Sequence, residues 1–466
     1  MRAGHRLTRA VRRPARRTLG RKSKGNPRAR QGRRKVLQPG GGHIRPHRTA
    51  SQGTAIMKRL LIIGAGFAGM YAATSAARLR QLQGASRDDI EIALIAPEPF
   101  LVVRPRLYEP EPQTMKAPLT PLLDAVDVRY VQGSVETIDS ASGQVRFVGP
   151  DGRRASLAYD RLVLATGSTG FRPDVAGLKE HAFGVDLMDE AVKLDRHLHA
   201  LAKRPSSQAR NTVVVAGGGF TGIETATEMP GRLRAILGED ADIRVVIVER
   251  GEQIAPQTGD NPRPVIAAAI RDAGVETILG VGVTSLDRSG VTLSNGARID
   301  SATVIWTAGM RASPLTAQIT APRDNLGRLV VDADLRVPGV AAVFAAGDTA
   351  RVVADALGNV APMTCQFAIR LGAFAGHNAA ADLLGLPTER YHQKAYVVCL
   401  DLGSSGAIFA RGWTPQLEQT GSEAKATKRE INTVWIYPPA PDRAGVFAAA
   451  PAQVMDLSAP ANAAAA

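Results

Sequence analysis

Two stretches of the chain repeat one order of apolar and polar positions. In each, a run rich in Leu, Ile and Val ends in glycines spaced G-x-G-x-x-G and continues into a mostly apolar segment. The first stretch is "RLLIIGAGFAGMYAA" from residue 59, and the second is "VVVAGGGFTGIE" from residue 213. Short β-branched runs favour strands, and longer amphipathic or apolar segments favour helices. The pattern therefore predicts a strand, a glycine turn and a helix in each stretch.

The segments that follow the two stretches also correspond. A second apolar run lies at Ile90–Ala96 in the first copy and at Ile243–Glu249 in the second. Each copy closes with a strand that ends in glycine, at Gly167 and at Gly309. An internal repeat of this size indicates two domains of similar build. We therefore predict an α/β protein with two Rossmann-like dinucleotide-binding domains.

The motif glycines have separate physical tasks in such domains. The first of each trio permits the tight turn, the second lets the backbone approach a pyrophosphate, and the third lets the helix pack closely on the sheet. The N-terminal amides of the helix then face the phosphate charge. A single motif is a weak signal because glycine turns are common, but two in register between strand and helix are specific. The candidate residues are Gly64, Gly66, Gly69, Gly217, Gly219 and Gly222.

The segment after the second copy is expected to rejoin the first domain. Residues 327–350 contain a predicted strand that ends in "AAGD", with Gly347 and Asp348, and a helix is expected from about Thr364 to Leu384. The second domain is thus inserted into the first, and the rest of the chain is expected to form strands and turns. The predicted boundaries are 57–175 with 320–395 for the first domain, 176–319 for the second, and 396–466 for a small C-terminal region with a disordered tail.

The excess positive charge lies in the first 56 residues. Residues 1–56 hold 14 Arg and 3 Lys without any Asp or Glu, whereas the rest of the chain has a net charge of −2. Such a leader cannot bury a core and is expected to be disordered. An RNA-binding arm, an anchor to acidic lipid and a targeting peptide are alternative roles for it. We favour a simpler interpretation, in which translation begins at Met57 and no nucleic acid is bound.

Composition limits the remaining chemistry. Apolar residues make up 44% of the chain and charged residues 22%, as in globular proteins with a core. Cys365 and Cys399 are far apart in sequence and provide no disulfide framework or C-x-x-C motif, which indicates a reducing compartment. The histidines show no metal-ligand spacing, so no metal site is predicted. Glycines interrupt the uncharged stretch Leu60–Ala77, which therefore predicts strand, turn and helix in a soluble or peripheral protein.

These motifs, in this order, resemble those of the flavoproteins with two dinucleotide-binding domains, the pyridine nucleotide oxidoreductase superfamily. Within it the chain most resembles the type II NADH dehydrogenases, which are single-subunit, non-pumping NADH:quinone oxidoreductases. The resemblance extends from about Lys58 to about Leu386. Its stretches are "LIIGAGFAGMYAA", "YDRLVLATGS", "GGGFTGIETATEM", "VIWTAGMRASPL" and "LRVPGVAAVFAAGD".

The resemblance implies FAD in the first domain. Asp348, after Gly347, would accept hydrogen bonds from the ribityl hydroxyls, and the helix from Thr364 would direct its positive end at the flavin. The acid expected at the end of the second strand is replaced by Ala96, which leaves Glu98 as the candidate for the adenosine ribose. The other implied FAD residues are Gly64, Gly66, Gly69, Thr166 and Gly167.

The resemblance implies NADH in the inserted domain, at Gly217, Gly219, Gly222 and Gly309. Glu249 ends the second strand, where a carboxylate accepts from ribose hydroxyls and repels the extra phosphate of NADPH. Arg250 beside it leaves NADPH as the less favoured alternative. Glu224 matches an acidic residue that lies near the nicotinamide in the family. An exposed first-turn glutamate stabilised by the helix dipole is the alternative interpretation.

The implied reaction transfers hydride from NADH to FAD and then electrons to an acceptor, for which a quinone is the first choice. The stretch "CQFAIRLG" retains Gln366 of the family's quinone motif, so Glu224 and Gln366 are the candidate catalytic residues. The lack of a cysteine pair beside the flavin disfavours a disulfide reductase. Reduction of a small carrier such as ferredoxin, and a redox sensor or nucleic-acid binder, are the alternatives. The expected location is cytoplasmic or peripheral at the inner face of the membrane, and a homodimer is compatible with the sequence.

Overall fold

The structure, a computed structural model, describes residues 57–453. The predicted basic leader at 1–56 and the end of the predicted disordered tail, from residue 454, lie outside the described residues. The described part contains two five-stranded sheets with helices packed against them. The predicted α/β class is therefore confirmed.

The first sheet is entirely parallel and is built around the strand of the first glycine motif. Its strands are, in spatial order, Val343–Ala345, Arg161–Leu164, Lys58–Ile63, Ile90–Ala96 and Arg129–Gln132. The apolar residues of its three central strands are buried, which explains their nearly continuous apolar sequences. The edge strand at 343–345 arrives from beyond the second domain, which makes that domain an insertion in the first.

The second sheet repeats the strand order of the first. Its parallel strands are, in spatial order, Ala182–Phe183, Thr303–Trp306, Thr212–Ala216, Arg244–Glu249 and Val275–Leu279. In both sheets the motif strand is central, with the closing strand on one side and the second strand on the other. A three-stranded antiparallel sheet accompanies each copy, at Ser134–Asp139, Gln144–Val148 and Arg154–Ala158 in the first and at Val283–Asp287, Gly290–Leu293 and Arg298–Asp300 in the second.

Two long helices pack closely against each other on the first sheet. They are Phe67–Leu82, which follows the first motif, and Cys365–Leu384, which matches the predicted helix. Gly372 and Gly376 face the first helix so closely that an added Cβ would overlap the carbonyl oxygens of Ala68 and Ala72. The close packing fixes the N-terminal end of the second helix beside the first glycine motif.

The remaining elements connect the two sheets or flank them. Short strand pairs occur at Phe100–Val102 with Lys116–Pro118, Ser168–Gly170 with Met310–Ala312, and Leu329–Val330 with Ala350–Arg351. The other helices before residue 396 are Thr120–Ala125, Leu178–His181, Met188–Leu201, Gln208–Asn211, Phe220–Leu237 and Arg263–Asp272. Within residues 57–453, none of the helices combines the length and the apolar character needed to cross a membrane.

The C-terminal region differs from the prediction of strands and turns. An antiparallel sheet is present, with strands Val397–Asp401, Ala407–Arg411 and Gln416–Thr420. Helical segments follow it, at Gly421–Glu430, Ile431–Trp435 and Arg443–Ala449. The prediction was wrong for these segments because the first is short and mostly polar, and its few buried positions give no clear helical period.

Candidate functional site

A cavity of about 1790 Å³ lies at the carboxyl ends of the strands of both sheets. Ligands of open α/β sheets bind at this end because the loops there and the helix N-termini converge. Its lining includes twelve of the residues singled out from the sequence. They are Gly64, Gly66, Glu98, Thr166, Gly167, Gly217, Gly219, Glu224, Glu249, Gly309, Gly347 and Asp348.

The first and third glycines of each motif are fixed by the backbone around them. Gly64 has φ +110° and Gly217 has φ +119°, in the region that favours glycine. A Cβ on Gly69 would overlap the carbonyl oxygen of Gly64, and one on Gly222 would overlap that of Gly217. These contacts join strand to helix in both copies.

The middle glycines instead leave space open. Gly66 and Gly219 are the N-cap residues of their helices and line the cavity. An added Cβ on Gly66 would meet nothing within 4 Å, and one on Gly219 would meet only the Gln257 side chain, at 3.9 Å. A pyrophosphate fits at both positions, because unpaired helix amides face an open space there.

Polar groups beside the first motif fit the flavin nucleotide. The Asp348 carboxylate accepts a hydrogen bond of 2.6 Å from the Ser168 hydroxyl and lies 3.7 Å from the Arg104 guanidinium. The hydroxyls of Thr166 and Thr364 are buried and have no hydrogen-bond partner within residues 57–453. Both residues line the cavity, so their hydroxyls are free to hydrogen-bond to a nucleotide bound there.

The Glu249 side chain binds backbone amides of the second glycine motif and of the loop after its own strand. Its carboxylate accepts hydrogen bonds from the amides of Gly218, at 2.6 Å, and Gly251, at 2.7 Å. The side chain also lines the cavity, and so does Arg250. The carboxylate therefore places a negative charge at the end of the second strand and holds the two loops that flank it.

Glu224 is buried, so the interpretation of an exposed first-turn glutamate is wrong. Its side chain is 10% exposed and accepts hydrogen bonds from the Lys428 ammonium, at 2.7 Å, and from the Asp401 amide, at 3.1 Å. Burial raises the pKa of Glu224, although Lys428 opposes this. Burial lowers the pKa of Lys428, but Glu224, Cys399 and Asp401 together outweigh burial and raise that pKa overall. The pair therefore keeps a proton on the ammonium beside a carboxylate of unusually high proton affinity.

Sequence reasoning missed Lys428. It lies on the helix Gly421–Glu430, and its side chain is 8% exposed and also donates to the carbonyl oxygen of Cys399, at 3.1 Å. Lysine is almost never fully buried unless it is paired. The local sequence offered no signal for it, because the helix is short and mostly polar and its buried positions become visible only in the fold.

Both cysteines line the cavity, which corrects the expectation that no cysteine pair lies near the flavin site. Cys365 begins the long helix, and Cys399 lies in the first strand of the C-terminal sheet. Burial raises the pKa of Cys365 and raises that of Cys399 to about 12. Because the thiolate is the reactive form, neither side chain is prepared for disulfide exchange at neutral pH.

Gln366 follows the cavity-lining Cys365, but its own contact is with the C-terminal sheet. Its side-chain oxygen accepts a hydrogen bond of 3.3 Å from the amide of Val397. This contact ties the start of the long helix to the strand that carries Cys399. A catalytic role for Gln366 stays a prediction.

Comparison with known proteins identifies the family. The sequence model of the pyridine nucleotide-disulphide oxidoreductase family matches residues 58–372. The chain belongs to this family. It is 43% identical over 407 residues to an NADH dehydrogenase-like protein of Mycobacterium tuberculosis, a match that covers 85% of the chain and 99% of the relative. It is 31% identical over 360 residues to a demethylphylloquinone reductase of Synechocystis, covering 76% of the chain and 86% of the relative.

A solved structure shares the fold at low sequence identity. NDH2 from Plasmodium falciparum in complex with NADH superposes with a TM-score of 0.69 and 14% identity, over 84% of this chain and 97% of that one. Family membership confirms the predicted resemblance to the NADH dehydrogenases. The chain is an oxidoreductase that uses FAD and NADH.

Glu249 provides a test of nucleotide choice. We expect Glu249→Ala to lower the ratio of kcat/KM for NADH to that for NADPH roughly tenfold or more, because an NADPH phosphate then meets no like charge there. The variant also loses the hydrogen bonds to Gly218 and Gly251, so kcat/KM for NADH itself should fall. Steady-state kinetics with both nucleotides measure the ratio. Glu252→Ala, on the same loop, is the control, and an equal ratio in both variants would exclude this role.

Proposed function

We propose that the protein is an NADH:quinone oxidoreductase. Family membership supports the use of FAD and NADH, and the relative named as a demethylphylloquinone reductase supports a quinone as the acceptor. The observation that carries the proposal is the buried Lys428–Glu224 pair on the wall of the cavity that contains both nucleotide motifs.

The pair suits an acceptor that gains negative charge and protons. A quinone oxygen becomes more negative as it receives electrons, and a preorganised ammonium in a site with little water stabilises that charge strongly. Lys428 provides the ammonium and a proton, while Glu224 keeps it charged and in place. Phe67, Ala368 and Tyr396 line the same cavity and provide an apolar and aromatic surface that suits a quinone ring.

The chain's own residues bind and orient the cofactors. When bound, FAD takes two electrons from NADH and passes them to the acceptor. Gly66 would hold its pyrophosphate, Asp348 its ribityl chain, and the N-terminal end of helix Cys365–Leu384 would face its ring. Gly219 and Glu249 would hold NADH in the inserted domain. Fixed geometry of this kind supplies much of the rate enhancement in two-substrate reactions.

The domain boundaries and the location are part of the proposal. We place FAD in residues 57–175 with 320–395, NADH in 176–319, and the acceptor between these and the region from 396. Because long-chain quinones dissolve in the bilayer, the protein would work in the cytoplasm at the inner membrane surface, as a monomer or homodimer. The exposed apolar side chains of Val434 and Trp435 support this position. Flotation with phospholipid vesicles tests it, and a protein that stays in the aqueous fraction would contradict it.

Anaerobic spectroscopy with an acceptor panel tests the function. The purified protein should show a flavin spectrum that NADH bleaches, and menadione should restore it within the time of one catalytic turnover. A ferredoxin and ferricyanide serve as comparison acceptors. A flavin that NADH bleaches and that only ferredoxin reoxidises would replace the quinone by a protein carrier. A flavin that NADH leaves unchanged would remove the oxidoreductase assignment.

A further inference from the structure

A second, smaller cavity adjoins the main one. Its volume is about 310 Å³, and Tyr108 and Lys428 line both cavities. The other lining residues are almost all polar or charged. They are Arg106, Glu109, Pro110, Glu228, Asp401, Lys425, Arg429, Asn432 and Thr433. Pro110, Arg429 and Thr433 are exposed, so the cavity extends from the protein surface to the buried lysine.

The inner end of the second cavity contains an unpaired buried hydroxyl. Tyr108 is 3% exposed, and its hydroxyl has no hydrogen-bond partner within residues 57–453. Buried polar groups are nearly always paired, with ordered water where protein is absent. The volume is room for several water molecules, at about 30 Å³ each in the liquid. Water in this cavity would bond to Tyr108 and reach Lys428.

Among the carboxyl groups that line this cavity, Glu228 is the one that forms no ion pair within residues 57–453. It lies one helical turn after Glu224 on the helix Phe220–Leu237 and is half-buried. By contrast, Asp401 accepts from Lys425 at 2.5 Å, and Glu109 pairs with Arg106 at 2.7 Å. Glu228 is therefore the carboxyl group best placed to exchange a proton with water in the cavity.

We propose that the second cavity is the proton entrance of the enzyme, and that Glu228 passes solvent protons to Lys428. The inference rests on the proposed quinone reduction. A quinone takes up two electrons and two protons to become a quinol. NADH supplies two electrons and one proton, so each turnover takes one further proton from solvent. Lys428 gives a proton to the quinone oxygen, Glu228 restores it through water, and the Glu228 carboxylate is protonated from outside.

The surroundings of Glu228 favour its protonated form more than water does. Burial raises the pKa of Glu228. The positive charges of Lys425 and Arg232 lower this pKa, the negative charges of Asp401 and Glu109 raise it, and the net shift is upward. A raised pKa keeps the carboxyl protonated to higher pH than usual. The rate of quinone reduction should therefore fall as the pH rises through this pKa.

The test separates electron transfer from proton transfer in Glu228→Gln. Ferricyanide accepts electrons without protons, whereas menadione requires them. We expect menadione reduction to slow about tenfold or more, since positioned proton donors contribute about 10²–10⁴-fold. Bleaching by NADH and ferricyanide reduction should stay within about twofold of the wild-type rates, and the fall in rate at high pH should disappear. Glu228→Asp should recover most of the menadione rate.

Two further variants keep the test decisive. Thr433→Trp fills the exposed end of the cavity without replacing a carboxyl group and should slow menadione reduction in the same selective way. Glu423→Gln makes the same chemical change as Glu228→Gln at an exposed site on the helix Gly421–Glu430 and should leave every rate unchanged.

Each alternative outcome overturns the proton entrance. Wild-type menadione rates and pH profiles in both Glu228→Gln and Thr433→Trp would exclude it. Equal slowing of menadione and ferricyanide reduction would show a structural effect of the substitutions. A wild-type protein that reduces ferricyanide but no quinone would refute the proposed function itself, and the proton entrance with it.

Discussion

Lys428→Met should abolish most quinone reduction and also destabilise the fold. The variant removes the ammonium from a cavity in which the Glu224 carboxylate remains buried. Loss of one partner of a buried pair costs about 3–5 kcal/mol, because an uncompensated charge is left inside. Loss of a positioned proton donor lowers the rate about 10²–10⁴-fold. Urea unfolding and menadione turnover measure the two effects.

The pH dependence of the stability loss identifies Glu224 as its cause. Burial raises the pKa of Glu224 in the folded chain, so the folded state binds this proton more tightly than the unfolded state. The loss should therefore be small at low pH and grow as the pH rises through the raised pKa. The double variant Glu224→Gln with Lys428→Met should recover stability but not turnover. Lys203→Met, at an exposed lysine, is the control, and a stability loss independent of pH would contradict the explanation.

Gly64→Ala should prevent FAD binding and destabilise the first sheet. Gly64 has φ +110°, and an added Cβ would overlap the carbonyl oxygen of Ala165, just after the adjacent strand. The left-handed backbone alone costs about 1–2 kcal/mol. The overlap with a fixed backbone atom adds to this, since strained insertions cost about 1–3 kcal/mol. The yield of soluble protein and the flavin absorbance per chain measure the outcome.

Gly84→Ala separates the two contributions. Gly84 has φ +66°, and an added Cβ there would meet nothing within 4 Å. This variant should therefore lose only the backbone contribution and retain its flavin. If both variants bound FAD equally well, the close approach of Gly64 to Ala165 would have no part in building the site.

The sequence predicted the parts of the site that depend on local geometry. The positive φ of Gly64 and the contact of Gly69 with it involve residues five positions apart, and the same holds for Gly217 and Gly222. The spacing of the glycines in the sequence is therefore enough to predict these contacts. Asp348 lines the cavity three residues after the end of the strand Val343–Ala345, and its role in holding FAD stays a prediction.

The part of the site around Lys428 and Glu224 could not be predicted in the same way. Lys428 is 204 residues from Glu224, and the contact forms only when the C-terminal sheet packs beside the inserted domain. Its helix is short and mostly polar, so nothing in the local pattern marks one lysine as buried. Cys399 was misjudged for the same reason, since distance along the chain does not limit proximity in the fold.

The edge strand Val343–Ala345 also determines the order in which the protein is completed during synthesis. The hydroxyl of Thr349, just beyond this strand, donates a hydrogen bond to the carbonyl oxygen of Leu164, which lies 185 residues earlier in the sequence. At about 5–20 residues per second, roughly 10 to 40 seconds separate the translation of these two positions. During that interval the growing chain can complete the inserted domain. The first sheet still lacks its edge strand, and Asp348 has not yet been added to the chain. The NADH domain is therefore able to fold on the ribosome before a complete FAD site exists.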